Sequence, residues 1–352
     1  MIGIVQRYGF TLVLIAAILG VYIYYPGDDS DIRLLTGYTM GTTYRLQYVP
    51  SPGSLTSTRI ADDVSALLDR LDRGVFSTYA EQSELSRLNR SPIGQPARVS
   101  RELLEVLMLA EEISELTGGA FDVTVGPLVN LWGFGPDAGR DQVPSAGQIQ
   151  NAMSRVGYQR LKINPEQASI TRETEVYIDL SGIAKGYVVD QVALYFDSIG
   201  VDSYFLEIGG ELKISGFKPD GNTWIPAVER PVDGAPEVFA ILDSRGEQLA
   251  IAGSGDYRNF FEADGIRYSH EIDPRTGAPV LHDLAAVYVI DSQAARADAL
   301  ATAFMVLGYQ SGLDLALRNE LAVYFIVREG GDLQSHPTGE FARYIQDRET
   351  LP

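Results

Sequence analysis

Apolar positions along this chain follow two rhythms, one of three to four residues and one of two. Ile60, Val64, Leu67, Leu68 and Leu71 recur at helical steps and share one face of a first helix. A second helical run follows Ser100, whose hydroxyl suits an N-cap, and stops at Gly118-Gly119. Val188, Val192, Tyr195, Phe196 and Ile199 line one face of a third, which ends at Gly200. A fourth covers ARADALATAFMVLG at 295–308. Segments 42–49, 174–180, 203–208, 238–242, 284–291 and 321–327 are rich in Val, Ile and Tyr and predict strands. Strands and helices do not alternate regularly. The expected class is therefore α+β, with mixed or antiparallel sheets and packed helices, rather than a doubly wound parallel sheet. No repeat, low-complexity tract or long linker divides residues 33–352, so they are expected to form one region.

Residues 8–25 have a different pattern, with no charge at all. Eighteen helical residues at ~1.5 Å each span roughly 27 Å, enough to cross a bilayer. Arg7 precedes the run, Tyr22, Tyr24 and Tyr25 end it, and Asp28, Asp29 and Asp31 follow. Residues 1–32 are expected to be an uncleaved signal anchor and linker, with the N-terminus cytoplasmic and the large region across the membrane. A cleaved signal peptide and a buried helix are the alternatives.

The chain has 352 residues, 45% of them hydrophobic, and a formal net charge of −19. That balance supplies no basic patch for a phosphate backbone and argues against nucleic-acid partners. Cysteine is absent, which excludes disulfides, thiolate metal sites, a cysteine nucleophile and a lipid anchor on cysteine.

Candidate chemistry concentrates in a few segments. SHEIDPRTGAP at 269–279 holds His270 just ahead of two rigid turns, around Asp273-Pro274 and Gly277-Ala278. Asp298 and Thr302 lie four apart in the fourth helix, on one face. A carboxylate and a hydroxyl there supply part of a Mg²⁺ shell that phosphate and water complete; a cap and a back-bonded threonine are the structural alternatives. His270, His282 and His336 show no zinc spacing. In TMGTTY, Met40 beside Gly41 offers a soft surface for a flat ring, or simply a core residue at a strand start. Tyr79, after Ser77-Thr78, could stack on an aromatic ligand. The glycine-rich stretch 117–136 surrounds Ala120, Phe121 and Asp122, and Asp122 could accept from ring N–H groups. DLSGIAKGY is neither a Walker loop nor a dinucleotide fingerprint, yet its helix start could meet a phosphate, with Lys185 adding a charge and Asp179 facing ribose hydroxyls. EIGGELKISG at 207–216 and IAGSGDYRNFF at 251–261, with Ser254 and Tyr257, read mainly as structural glycine turns.

Taken in series, TMGTTY, SELSRLN, GAFDVTVGPLVNLWGFG, DLSGIAKGY, EIGGEL, SGDYRNFF, SHEIDPRTGAP and ADALATAFMVLG resemble the ApbE family of FAD:protein FMN transferases, across about 35–325. The resemblance implies a T-fold-related α+β domain and a Mg²⁺-dependent enzyme. Such an enzyme moves FMN from FAD to a threonine or serine hydroxyl of a flavoprotein subunit and releases AMP. It implies FAD contacts at Met40, Tyr79, Ala120, Phe121, Asp122, Asp179, Lys185 and Ile272. It implies metal contacts at Gly182 (by its carbonyl), Asp298 and Thr302, and catalytic roles for His270 and Asp298. The implied acceptor is a subunit of a membrane-bound, ion-pumping electron-transfer complex, met on the periplasmic side of a bacterial inner membrane. Many members are lipoproteins anchored through an N-terminal cysteine, in whose place this chain has residues 8–25. FAD hydrolysis to FMN and AMP is the alternative reaction for the same site, and flavin storage without turnover is a further one.

Overall fold

The computed structural model describes residues 32–346, apart from 52, 54, 136–142, 233, 234, 236, 258, 259 and 264; the expected anchor at 8–25 lies outside the described residues. Eight strands form one antiparallel sheet in which the order across the sheet is the order along the chain. They are β1 (Arg33–Thr39), β2 (Thr42–Tyr48), β3 (Tyr204–Ile208), β4 (Glu211–Ser215), β5 (Leu249–Gly255), β6 (Leu284–Asp291), β7 (Ala322–Glu329) and β8 (Asp332–Pro337). Three of the connections are two-residue hairpins with positive φ at both positions: Met40-Gly41, Gly209-Gly210 and Gly330-Gly331. Such turns match the twist of the strands they join.

Side chains on adjacent strand residues point to opposite faces. Ala250, Ala252, Val287, Val289, Val323 and Phe325 belong to one buried cluster. Leu249, Ile251, Ala286, Ile290, Tyr324 and Ile326 belong to another on the reverse face. The first face is covered by the four helices expected from the apolar spacing: α1 (Ser57–Asp69), α2 (Arg101–Leu116), α3 (Ala184–Ser198) and α4 (Ala294–Arg318). The Ser100 hydroxyl accepts from Leu103 N at 3.2 Å and caps α2. The reverse face is covered by Trp224, Val228, Phe239 and Leu242 and by the C-terminal turn around Phe341 and Tyr344. A third cluster, with Leu128, Trp132, Phe261 and Ile272, forms a wall beside the sheet.

Several expectations are corrected. Residues 174–180 are not a ladder strand. Val176, Ile178 and Leu180 are buried with the expected period of two. The segment's backbone groups are taken elsewhere: the Asn89 side chain exchanges two 2.8 Å hydrogen bonds with Ile178, and Asp179 N donates to Val123 O. The fourth helix runs ten residues beyond 308, because Gly308 (φ 73°) makes a kink and not an end. His282 Nε2 lies 2.7 Å from the Met305 carbonyl just before that kink. The main sheet also contains β1, β4, β5 and β8, which alternation had not marked.

Candidate active site

A cavity of about 770 Å³ opens where the β3–β4 hairpin, β5 and the starts of α3 and α4 converge. Tyr79, Ala120, Phe121, Asp122, Asp179, Gly182, Lys185, His270, Ile272, Asp298 and Thr302 all line it. Met40 does not. It is the first turn residue of the β1–β2 hairpin (φ 49°); its N–H donates to Asp72 Oδ2 at 2.9 Å, and its side chain packs against the helix-side core.

The polar end of the cavity is built where α3 meets α4. A Cβ on Gly186 would stand 2.3 Å from the Ala294 carbonyl oxygen, so only glycine lets the two helices start this close. Asp298, one turn into α4 and 4% exposed, accepts from Gly186 N at 3.1 Å. Thr302 lies one turn farther. A Cβ on Gly182 would come within 3.0 Å of Thr302 Oγ1 and 3.3 Å of the Phe121 ring, so the bare backbone at 182 packs against the hydroxyl. Lys185 Nζ lies 2.9 Å from Glu211 Oε1 and 3.7 Å from Asp298 Oδ2. Glu211 Oε2 is buried with no hydrogen-bond partner among the described residues.

Two buried carboxylates therefore share one ammonium. Burial raises the Asp298 carboxyl above its usual range against the pull of Lys185. Burial likewise pushes Glu211 up to about 8 despite Lys185. Burial opposes the charge of Lys185, but Asp298 and Glu211 outweigh it and hold the ammonium above its ordinary range. The cluster sets two carboxyl groups against one ammonium at the edge of a cavity. Its donors at Asp298, Thr302 and the Gly182 backbone are all oxygens, the set a hard cation takes when phosphate and water complete its shell. Among the described residues no group of three His, Cys, Asp or Glu side chains forms a denser metal cage. The residues present thus fit Mg²⁺ held jointly with a phosphorylated ligand.

The other walls are less polar. Tyr79 is 78% exposed at the rim. Asp122 is buried and already accepts from Thr124 N, Thr124 Oγ1 and Tyr158 N at 2.6–2.9 Å. These bonds make it the organiser of its own loop and leave little capacity for the ring N–H groups expected above. Asp179 Oδ1 accepts from Ser181 N at 2.9 Å and fixes the turn into α3. His270 follows the hairpin strand Ile266–Ser269, with Nε2 3.5 Å from Glu271 Oε1 and its ring edge-on to Phe134. The turn beyond is rigid as expected: Arg275 pairs with Asp273, and Gly277 O accepts from Trp132 Nε1 at 2.8 Å.

Glu211 and Glu271 were not expected here. Glu271 is buried, and burial raises its carboxyl against the opposing influence of His270. The available signal for Glu211 was an acidic residue directly after a Gly-Gly hairpin turn, two residues before Lys213 on the same strand face.

The model of the ApbE family matches residues 40–325. The FAD:protein FMN transferase of Vibrio cholerae serotype O1 is 41% identical over 312 residues, covering 88% of this chain and 92% of that protein. The FAD:protein FMN transferase of Escherichia coli K12 is 34% identical over 342 residues, covering 94% and 96%. Among solved structures, the flavin transferase ApbE from Vibrio cholerae superposes with a TM-score of 0.82 at 39% identity, over 90% of this chain and 99% of that one. The apo flavinyl transferase ApbE of Pseudomonas stutzeri gives 0.81 at 41%, over 89% and 96%.

Proposed function

This chain belongs to the ApbE family, and from that premise we propose that it is an FAD:protein FMN transferase. It moves FMN from FAD to a threonine or serine hydroxyl of an acceptor protein and releases AMP. The observation that carries the reading is the oxygen-donor set of Asp298, Thr302 and Gly182 beside Lys185, inside a cavity of ligand size.

In this reading Asp298, Thr302 and the Gly182 carbonyl would hold Mg²⁺, which when bound would polarise the pyrophosphate oxygens and offset their developing charge. Lys185 and the N–H groups at the start of α3 face the same pyrophosphate. Tyr79, Ala120, Phe121, Asp122, Asp179 and Ile272 shape the walls that orient the rest of FAD. The acceptor hydroxyl oxygen attacks the FMN phosphorus. The new P–O bond forms as the bond to the bridging oxygen breaks, and AMP leaves with the electron pair. His270 takes the hydroxyl proton, with Glu271 beside it to hold the imidazole. Asp298, engaged by Gly186 and Lys185, is the weaker candidate for that step.

The anchor at 8–25 sets the compartment: inner membrane, single pass, with the catalytic region in the periplasm. Subunits of membrane-bound, ion-pumping electron-transfer complexes present their hydroxyls at that same face. The test is intact mass. Full-length protein in detergent, FAD, Mg²⁺ and a purified candidate acceptor should give one FMN added per acceptor, with equimolar AMP. Free FMN plus AMP across a panel of acceptors, with none labelled, would make the enzyme an FAD pyrophosphatase instead.

A further inference from the structure

The cavity extends past the polar cluster to the other side of the sheet end. There its lining includes Phe205, Leu212, Gly253, Ser254, Gly255 and Tyr288, none of which contributes to the cluster or the walls described so far. β5 forms the floor of this arm, and its pairing is lopsided. On one flank β6 pairs with it from Ala250 through Gly255. On the other flank β4 pairs only with Leu249, Ala250 and Ile251, because β4 begins at Glu211. Among the described residues no strand pairs with Ala252–Gly255 on that second flank. An unpaired strand edge is normally an aggregation hazard that proteins cover or charge. Here it is left open along the wall of the cavity.

The glycines make room on the face of this same stretch. A Cβ on Gly253 would fall 2.6 Å from the Tyr288 ring, and one on Gly255 would fall 2.6 Å from the Tyr257 ring. With glycine at both places the two rings can approach the strand backbone this closely. The Tyr288 hydroxyl is tied to the backbone of Glu229 at 3.1 Å, which fixes the roof above.

We propose that this open flank of β5 is the docking edge for the acceptor protein, which adds a short extended segment as an extra strand and thereby brings its hydroxyl to the Asp298–His270 end of the cavity. This rests on the transferase reading. Main-chain hydrogen bonds would supply the affinity, the usual logic of strand addition.

Hydrogen exchange on the full-length enzyme tests it directly. The probe is an acceptor subunit that the enzyme labels, with its target threonine replaced by valine so that no covalent product forms. With FAD and Mg²⁺ present throughout, adding this probe should slow amide exchange at least tenfold within 252–256. Residues 249–251, already paired on both sides, should not change. Proline placed at successive positions beside the target hydroxyl of the labelled acceptor should raise the acceptor KM at every second position, leaving FAD binding unaltered. Labelling of the acceptor without protection of 252–256 would overturn the docking edge alone. Protection of those amides by FAD in the absence of acceptor would also overturn it, assigning the arm to the nucleotide. Failure of the unaltered enzyme to label any acceptor would overturn the transferase reading, and the proposal with it.

Discussion

Two lysine–carboxylate clusters tie together the same three elements, α3, β4 and α4, and they differ in how completely they are matched. In one, Asp190 of α3 accepts from Ala294 N, Ala295 N and Lys213 Nζ, each at 3.0 Å. Lys213 also donates to the Ser292 carbonyl. One carboxylate meets one ammonium and caps the first turn of α4, where it also complements the helix dipole. In the other, Lys185 faces both Glu211 and Asp298, and one Glu211 oxygen has no hydrogen-bond partner among the described residues. Glu211 and Lys213 are two apart on β4, so a single strand face supplies a residue to each cluster. The matched cluster is scaffold. The mismatched one sets two carboxyl groups against a single ammonium at a cavity, where a cation can join them.

The largest difference should appear at Asp298. Asp298→Asn removes the one carboxylate of the metal set, and transfer should fall by roughly a thousandfold or more, as several kcal/mol of charge stabilisation are lost. Thermal stability of the metal-free protein should hold or rise, because Lys185 and Glu211 are then matched one to one. A lower melting midpoint with transfer intact would reverse the roles of the two clusters. Asp190→Ala should do the opposite. It strands a buried Lys213 and uncaps α4, and removing one partner of a buried pair costs about 3–5 kcal/mol. Chemical denaturation should show that loss, while FAD affinity of the folded fraction stays near wild type. An unchanged midpoint would mean that the matched cluster is not scaffold.

The sequence revealed these two clusters unequally, for a physical reason. Asp298 and Thr302 were legible because their relation is local: four residues on a helix always share a face. His270 was legible because prolines and glycine fix its loop within a few residues. Glu211 and Asp190 were not, because their partners lie on other elements and only the tertiary fold brings them together. Met40 follows the core alternative: it sits in a two-residue turn at φ 49° and packs against the helix-side core. The same distinction holds for the fold. Richness in Val, Ile and Tyr marked β2, β3, β6 and β7. β1, whose residues are mostly exposed, carried no such signal, and at 174–180 the alternation marked burial without a ladder.

A smaller effect is expected at His270, on the mismatched side of the cavity. His270→Ala should lower transfer about a hundredfold, the low end for a lost proton acceptor, with FAD binding unchanged. Near-normal transfer by the variant would remove the histidine from proton transfer. The proton would then pass to Asp298.

The smallest effect is a slope, and it tests the mismatch itself. Burial pushes Glu211 from an ordinary 4.5 up to about 8. Below pH 4.5 the carboxyl is protonated in both the folded and the unfolded chain, and contributes no difference. Between about 4.5 and about 8 the unfolded chain has lost a proton that the folded chain retains, so folding takes up a proton. Stability of the metal-free protein should therefore fall as pH rises through that window and level off above it, by at most about 1.4 kcal/mol per pH unit from this group. Asp298 competes for the same ammonium, so the slope belongs to the pair and not to one residue. Glu211→Gln leaves Lys185 with a single carboxylate and should flatten the slope. Urea midpoints at pH 5 and pH 9, with chelator present and FAD absent, compare the two proteins. If wild type and variant decline in parallel, the proton resides elsewhere and the cluster is not mismatched in the way its geometry implies.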